Sequence, residues 1–363
     1  MTVVRAADAL GADGWHGPVE VVVEDGRIVA IGPATGPVPD RVLVPGLVDL
    51  QVNGHDDVDV ATADGSDWER LDRLLVAQGV TTWCPTLVTA PLESYAGPLA
   101  RLAAATARPG PRPAIAGVHL EGPFLGGRPG AHPVDHVRPV DAGWLAALPP
   151  HVRLVTLAPD APGALAAIGP LAERGVLVSL GHSAASYEET RAATAAGARL
   201  VTHCFNATGA LHQRAPGLLG AALSDDRLAV SVIADLAHVH PALLALAFRA
   251  KGRDGVALVT DAVAWRSGRI GELTVAAGPD GVPRRPDGTL AGSALTLDRA
   301  VRNVVTAAGV DLADGVRAAS TTPARLLGLT DRGELRPGAR ADLVALGPTL
   351  EVEATWIDGE QVR

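Results

Sequence analysis

A repeated rhythm constrains this chain more than any other feature. Between residues 46 and 335, eight short apolar runs alternate with segments of helical periodicity. The runs are 47–52, 81–88, 115–120, 152–158, 176–180, 200–204, 228–234 and 256–260. Near-continuous apolar runs read as strands covered on both faces, the condition of a parallel sheet. Eight such strands separated by helices are what a closed (β/α)8 barrel needs. Helical patterns at 67–78, 92–107, 142–148, 165–174, 187–196 and 241–251 fill intervals between strands, and 295–308 and 311–327 complete the ring. With 363 residues, 47% of them hydrophobic, the chain can bury a core of that size.

The two ends follow a different pattern. Residues 1–45 hold short Val-rich strands around an Asp25-Gly26 turn, and 336–363 hold two more strands before Asp358-Gly359. The expected organisation is a TIM-like barrel over 46–335 and a small β-sandwich domain formed by 1–45 and 336–363. After residue 260 an insertion has hairpin character, with a strand at 273–276 followed by Pro279-Asp280-Gly281. A net charge of −9 without a basic run argues against a nucleic-acid partner. The apolar runs are broken at strand length, so no membrane span is expected. No signal-peptide pattern opens the chain, which makes the cytoplasm the expected compartment. Cys84 and Cys204 are too few for a disulfide framework.

The C-terminal rim is where α/β barrels keep their chemistry, so the residues ending each run matter most. The third run leads into Glu121, the fifth into Gly181-His182, and the last into Asp261; His203 lies in the sixth. The first run carries Gln51 and leads to Asn53. Any one of these alone reads as a hydrogen-bonded rim group. A carboxylate and two imidazoles at equivalent strand ends suit one divalent cation, Zn²⁺ foremost, with Fe²⁺, Mn²⁺ and Co²⁺ as alternatives. Asp261 is then the candidate general base toward a water that the ion acidifies. By itself it would read as a helix cap or a structural carboxylate.

Pro45-Gly46-Leu47-Val48-Asp49, His119-Leu120-Glu121-Gly122-Pro123-Phe124, Gly181-His182-Ser183, Thr202-His203 and Thr260-Asp261 together resemble the amidohydrolase superfamily. More narrowly, the chain resembles the N-acetylglucosamine-6-phosphate deacetylase family, over essentially its whole length. The resemblance implies hydrolysis of the N-acetyl group of an amino sugar phosphate. It also implies one metal ion per chain, because Gln51-Val52-Asn53 stands where many superfamily members carry His-x-His. Gly130-Ala131-His132 is similar to the loop whose histidine polarises the acetamide carbonyl. Asn206, Ala207, Arg214 and His238 match positions that bind the sugar phosphate, a site lying against a subunit boundary in the family, so a homodimer is implied. Leu290, Ala291 and Gly292 match the loop around the acetyl end. Without the resemblance, His132 and Arg214 read as exposed loop residues and His238 as a helix-start histidine. His55, Asp56, Asp57 and Trp265 depart from the family pattern and bear on the sugar pocket. The three near the first strand read as a solvated loop ahead of extra metal ligands. Two other readings compete: hydrolysis of a different N-acetyl sugar or amide, and a non-catalytic barrel. The presence of Glu121, His182, His203 and Asp261 together disfavours the second.

Overall fold

The eight apolar runs share one parallel sheet, because none has a polar face to leave in water. A computed structural model describes residues 1–363. Its barrel strands are β1 (Leu47–Val52), β2 (Val80–Val88), β3 (Val118–Glu121) and β4 (Val152–Leu157). β5 (Leu177–Leu180), β6 (Leu200–Val201), β7 (Ala229–Ile233) and β8 (Val256–Val259) follow. Each pairs in parallel with the next. The seam between β8 and β1 is closed by single contacts. The Asp261 N–H donates to the Gln51 carbonyl at 3.0 Å, the Thr260 hydroxyl donates to Asp49 at 2.6 Å, and Val52 bridges Ala262.

The terminal segments form two sheets with a core of their own. One has three strands, Thr2–Ala6, Val19–Glu24 and Arg27–Pro33. In the other, of six strands, Val42–Pro45 pairs antiparallel with Leu343–Leu346, joining opposite ends of the chain. Val21 and Val23 from the first sheet meet Leu43, Leu343 and Trp356 from the second in a cluster of 15 buried residues. That cluster is separate from the 72-residue core of the barrel, so the sandwich is a distinct layer pair.

Local departures from the sequence reading have physical causes. The helix expected over 311–327 is two, Leu312–Ala319 and Thr321–Leu326, broken at Ser320. Pro323 has no N–H to give the Ala319 carbonyl, and the Ser320 hydroxyl turns back to the Val316 carbonyl at 2.7 Å. The strand expected at 115–120 is split. The Ala116 N–H pairs with Trp83 while that of Val118 pairs with His151 on the other side. A helix at Gly217–Ser224 was masked by Pro216, Gly217 and Gly220; its Leu218, Leu219 and Ala222 are buried. The insertion after β8 holds two short hairpins, Arg269–Ile270 with Leu273–Thr274 and Ala276–Ala277 with Pro283–Arg284. They rest on a small core of Val263, Ile270, Val275 and Ala291.

Candidate active site

Four of the expected rim residues converge at the C-terminal mouth of the barrel. Glu121 ends β3 and is 2% exposed. Gly122 turns the chain off the strand with φ of +85°, and a Cβ there would lie 2.2 Å from the Thr89 hydroxyl, so only glycine fits. His182, His203 and Asp261 follow β5, β6 and β8 with φ of +50°, +30° and +49°. Non-glycine residues rarely adopt such values, and strain of this kind clusters where side-chain aim matters more than backbone ease.

The geometry around Glu121 suits a bound cation. Its Oε1 lies 3.0 Å from His182 Nε2 and 2.9 Å from His203 Nε2, and the two nitrogens are 3.0 Å apart. The Pro129 carbonyl, 3.1 Å from His182 Nδ1, can only accept, so that nitrogen carries the proton. Burial pushes the His182 pKa down to about 4, so the ring is neutral near pH 7 and Nε2 presents a lone pair. A lone pair facing a carboxylate oxygen at that distance is repulsive unless positive charge sits among the donors, which a metal ion bound there would supply. Burial alone would raise the Glu121 pKa. Contacts with His132, His182 and His203 outweigh it and hold the carboxyl well below its ordinary value.

Glu121, His132 and His182 also form a cluster able to hold a metal ion, with ligand atoms within 4.8 Å of one another. His132 and His203 differ in their hydrogen bonds. The Thr89 N–H donates to His132 Nδ1 at 3.3 Å, and the Thr89 hydroxyl lies 2.8 Å from the same nitrogen. A backbone N–H can only donate, so neutral His132 carries its proton on Nε2, which faces Glu121 Oε2 at 3.6 Å. That is the tautomer of a donor. His203 Nε2, by contrast, touches both Glu121 and His182, and its Nδ1 has no partner.

Asp261 is clamped from one side. Its Oδ1 accepts from Asn53 Nδ2 at 2.7 Å and from Gln51 Nε2 at 3.0 Å, and Gln51 Nε2 also reaches Glu121 Oε1 at 3.1 Å. Burial, followed by the charge of Glu121, pushes the Asp261 pKa up to about 7. In the sequence, Gln51 and Asn53 stand out only as poor substitutes for imidazole. Their role as a clamp depends on β1 lying against β8.

These residues face a cavity of about 290 Å³. Ala131, Asn206, Ala207, His238, Leu290, Ala291 and Gly292 line it. Gly292 is fixed by packing, since a Cβ there would lie 2.1 Å from Val263 Cγ1. Asp235 Oδ2 accepts from His238 Nδ1 at 2.7 Å, and Asp235 Oδ1 accepts the backbone N–H groups of Ala237 and His238. Arg214 is not brought in: it is exposed on the 209–216 loop and outside the cavity lining. The departures near the first strand also point elsewhere. Asp56 pairs with Arg70 and Arg266, Asp57 pairs with Arg70, His55 is buried, and Trp265 lies against Arg266. Apart from Ala131, Ala207, Leu290 and Ala291, the apolar lining, Val88, Ile233, Val263, Ile270 and Leu273, carries no sequence signal. It comes from two strand ends and an insertion that carry no motif.

A parallel barrel with carboxylate and imidazole donors at its C-terminal mouth, beside a separate acid, defines a metal-dependent hydrolase of the α/β-barrel class. The model of the Amidohydrolase family matches residues 42–362, and the chain belongs to that family. An N-acetylgalactosamine-6-phosphate deacetylase of Escherichia coli O157:H7 is 39% identical over 99% of this chain and 98% of its own length. The N-acetylglucosamine-6-phosphate deacetylase of Homo sapiens is 40% identical over 89% of this chain and 83% of its own. An aspartate-to-alanine mutant of the Mycobacterium smegmatis N-acetyl-D-glucosamine-6-phosphate deacetylase, solved with N-acetyl-D-glucosamine-6-phosphate, superposes with a TM-score of 0.92. It is 34% identical, with 99% of each chain covered.

Proposed function

We propose that this chain is a deacetylase that hydrolyses N-acetylglucosamine-6-phosphate to glucosamine-6-phosphate and acetate. The observation that carries the reading is the convergence of Glu121, His182 and His203 at about 3 Å beside a clamped Asp261. Glu121, His182 and His203 would hold one divalent ion, Zn²⁺ foremost, though Fe²⁺, Mn²⁺ and Co²⁺ suit the same donors. When bound, such an ion polarises the amide carbonyl and acidifies water. Asp261, held through Oδ1, has Oδ2 free to take a proton from the attacking water. It returns that proton to the amine nitrogen as the C–N bond breaks, so the water oxygen ends in acetate and its proton on the amino sugar. His132 Nε2–H donates to the carbonyl oxygen as negative charge develops there. His238, Asn206 and the Ala207 backbone hold the phosphate, with Leu290, Ala291 and Gly292 around the acetyl end and Ala131 beside it.

Arg214 reaches such a phosphate only if its loop moves or if a second protomer supplies it. Its exposure, together with that of Leu211 on the same loop, supports the homodimer that we propose. We also propose the division into a barrel at 46–335 and a terminal domain of 1–45 and 336–363, and a cytoplasmic setting without nucleic-acid or membrane partners. No helix is long and apolar enough to cross a membrane.

The Escherichia coli relative, which matches 99% of this chain, favours a second reading in which the sugar is the galactose epimer. Acetate release from N-acetylglucosamine-6-phosphate, N-acetylgalactosamine-6-phosphate and the two unphosphorylated sugars separates the cases. The expected result is turnover of a phosphorylated substrate, with its unphosphorylated counterpart much slower. Equal turnover with and without phosphate would overturn the role given to His238.

A further inference from the structure

The cavity lining is chemically divided. Val88, Val263, Ile270 and Leu273 pack together as one apolar group with Ala291, while Asn206 and His238 are polar. A substrate whose amide carbon lies among Glu121, His132 and Asp261 would match its phosphorylated sugar to the polar groups and its acyl methyl to the apolar cluster. Against the apolar cluster lies another cavity, also of about 290 Å³. Val88, Ile270 and Leu273 line both cavities, so the partition is one layer of side chains thick. Val88 stands in register with Glu121 across the β2–β3 ladder, which sets the partition beside the reacting centre.

The second cavity offers mostly alkyl surface, with the exposed Arg269 and Glu272 also in its lining. Its buried polar groups are already engaged. The Tyr95 hydroxyl donates to the Val88 carbonyl at 3.0 Å and accepts from the Ala90 N–H at 3.2 Å. The Thr89 hydroxyl is taken up by His132 Nδ1 at 2.8 Å. Ala61, Leu87 and Pro98 supply apolar walls. Gly271 faces this space: a Cβ there would lie 3.8 Å from Val88 Cγ2 and 4.0 Å from Ala61 Cβ.

We infer that Val88, Ile270 and Leu273 limit the substrate's N-acyl group to acetyl, and that the cavity behind them is a latent site for a longer N-acyl chain. The inference rests on the deacetylase reading above and adds a specificity boundary to it. Hydrolysis of N-acetyl and N-butyryl hexosamine 6-phosphates by the metal-loaded enzyme tests it. The wild type should favour acetyl by roughly a hundredfold or more, since each methylene that does not fit costs about 10- to 200-fold. Val88→Ala and, separately, Leu273→Ala should each raise the butyryl-to-acetyl ratio of kcat/KM about tenfold or more. Ala61→Leu added to Val88→Ala should reverse that gain by refilling the second cavity. Leu273 sits on the half-exposed hairpin, so its truncation keeps the test valid if Val88→Ala folds poorly. Calorimetry in an Asp261→Asn background should show the same change as tighter binding of the butyryl substrate, with turnover strongly slowed. An unchanged ratio in both variants, with acetyl hydrolysis intact, overturns the inference alone. Absence of acetyl hydrolysis in the wild type overturns the deacetylase reading itself.

Discussion

At the residue scale, the reaction turns on which oxygen of Asp261 is engaged. Asn53 and Gln51 both hold Oδ1, which leaves Oδ2 for the proton transfer proposed above. Asp261→Asn keeps the size and the Oδ1 contacts but removes the base. It should retain its metal, by elemental analysis, and lose roughly 10²- to 10⁴-fold in kcat. Near-normal turnover would remove Asp261 from the mechanism. Asn53→Ala leaves the base present but held by Gln51 alone. It should lower kcat about tenfold while metal content stays at the wild-type level. A loss of metal in that variant would mean that Asn53 supports the ligands instead. Glu121, His182, His203 and Asp261 were legible in the sequence because each ends or follows an apolar run. The clamp was not, because the contact between the first and last strands exists only once the barrel closes. Thr89 and Asp235, which fix the protons of His132 and His238, were equally hidden, since a threonine and an aspartate in loops carry no distinguishing pattern.

At the element scale, loops carrying functional groups are held by the elements they enter. The loop after β5 bears His182 and runs into a helix, Tyr187–Ala196, whose start is a capping box. The Ser186 hydroxyl accepts from the Glu189 N–H at 3.1 Å, and the Glu189 carboxylate accepts from the Ser186 N–H at 2.7 Å. Upstream, the Ser183 hydroxyl donates to Asp160 at 2.5 Å, so the loop is tied at both ends. Ser186→Ala should cost about 1 kcal/mol, read as a lower denaturant midpoint with an unchanged slope. A change below a few tenths would mean that water caps this helix as well as serine does. The strand order and most helices could be read from periodicity alone. The split at Ser320 could have been found from Pro323. The Gly217–Ser224 helix could not, because two glycines and an N-terminal proline give it the composition of a loop.

For the whole molecule, the barrel is only as good as its seam. β1 and β8 share few ladder bonds, and Asp49 carries much of the join. Its carboxylate accepts from the Thr260 hydroxyl at 2.6 Å, and from the N–H groups of Gln51 at 3.1 Å and Thr260 at 3.3 Å. Burial opposes the ionised form more strongly than these bonds favour it, and pushes the Asp49 pKa up to about 7. A raised carboxyl pKa means that the native state holds a proton the unfolded chain has released. The stabilisation linked to that proton is complete below the unfolded pKa, near 3.9, and is lost as pH rises through about 7. Between those limits its slope is about 1.4 kcal/mol per pH unit. Asp49→Asn is neutral at every pH and removes this slope while leaving the other titrations in place. Urea unfolding of both proteins at pH 5, 6, 7 and 8 should therefore show the wild type losing stability relative to the variant as pH rises to about 7, then levelling. A difference that stays flat from pH 5 upward would mean that Asp49 is ionised in the folded barrel throughout. The seam would then be an ordinary charged hydrogen-bond network, and burial would not be what sets its pH response.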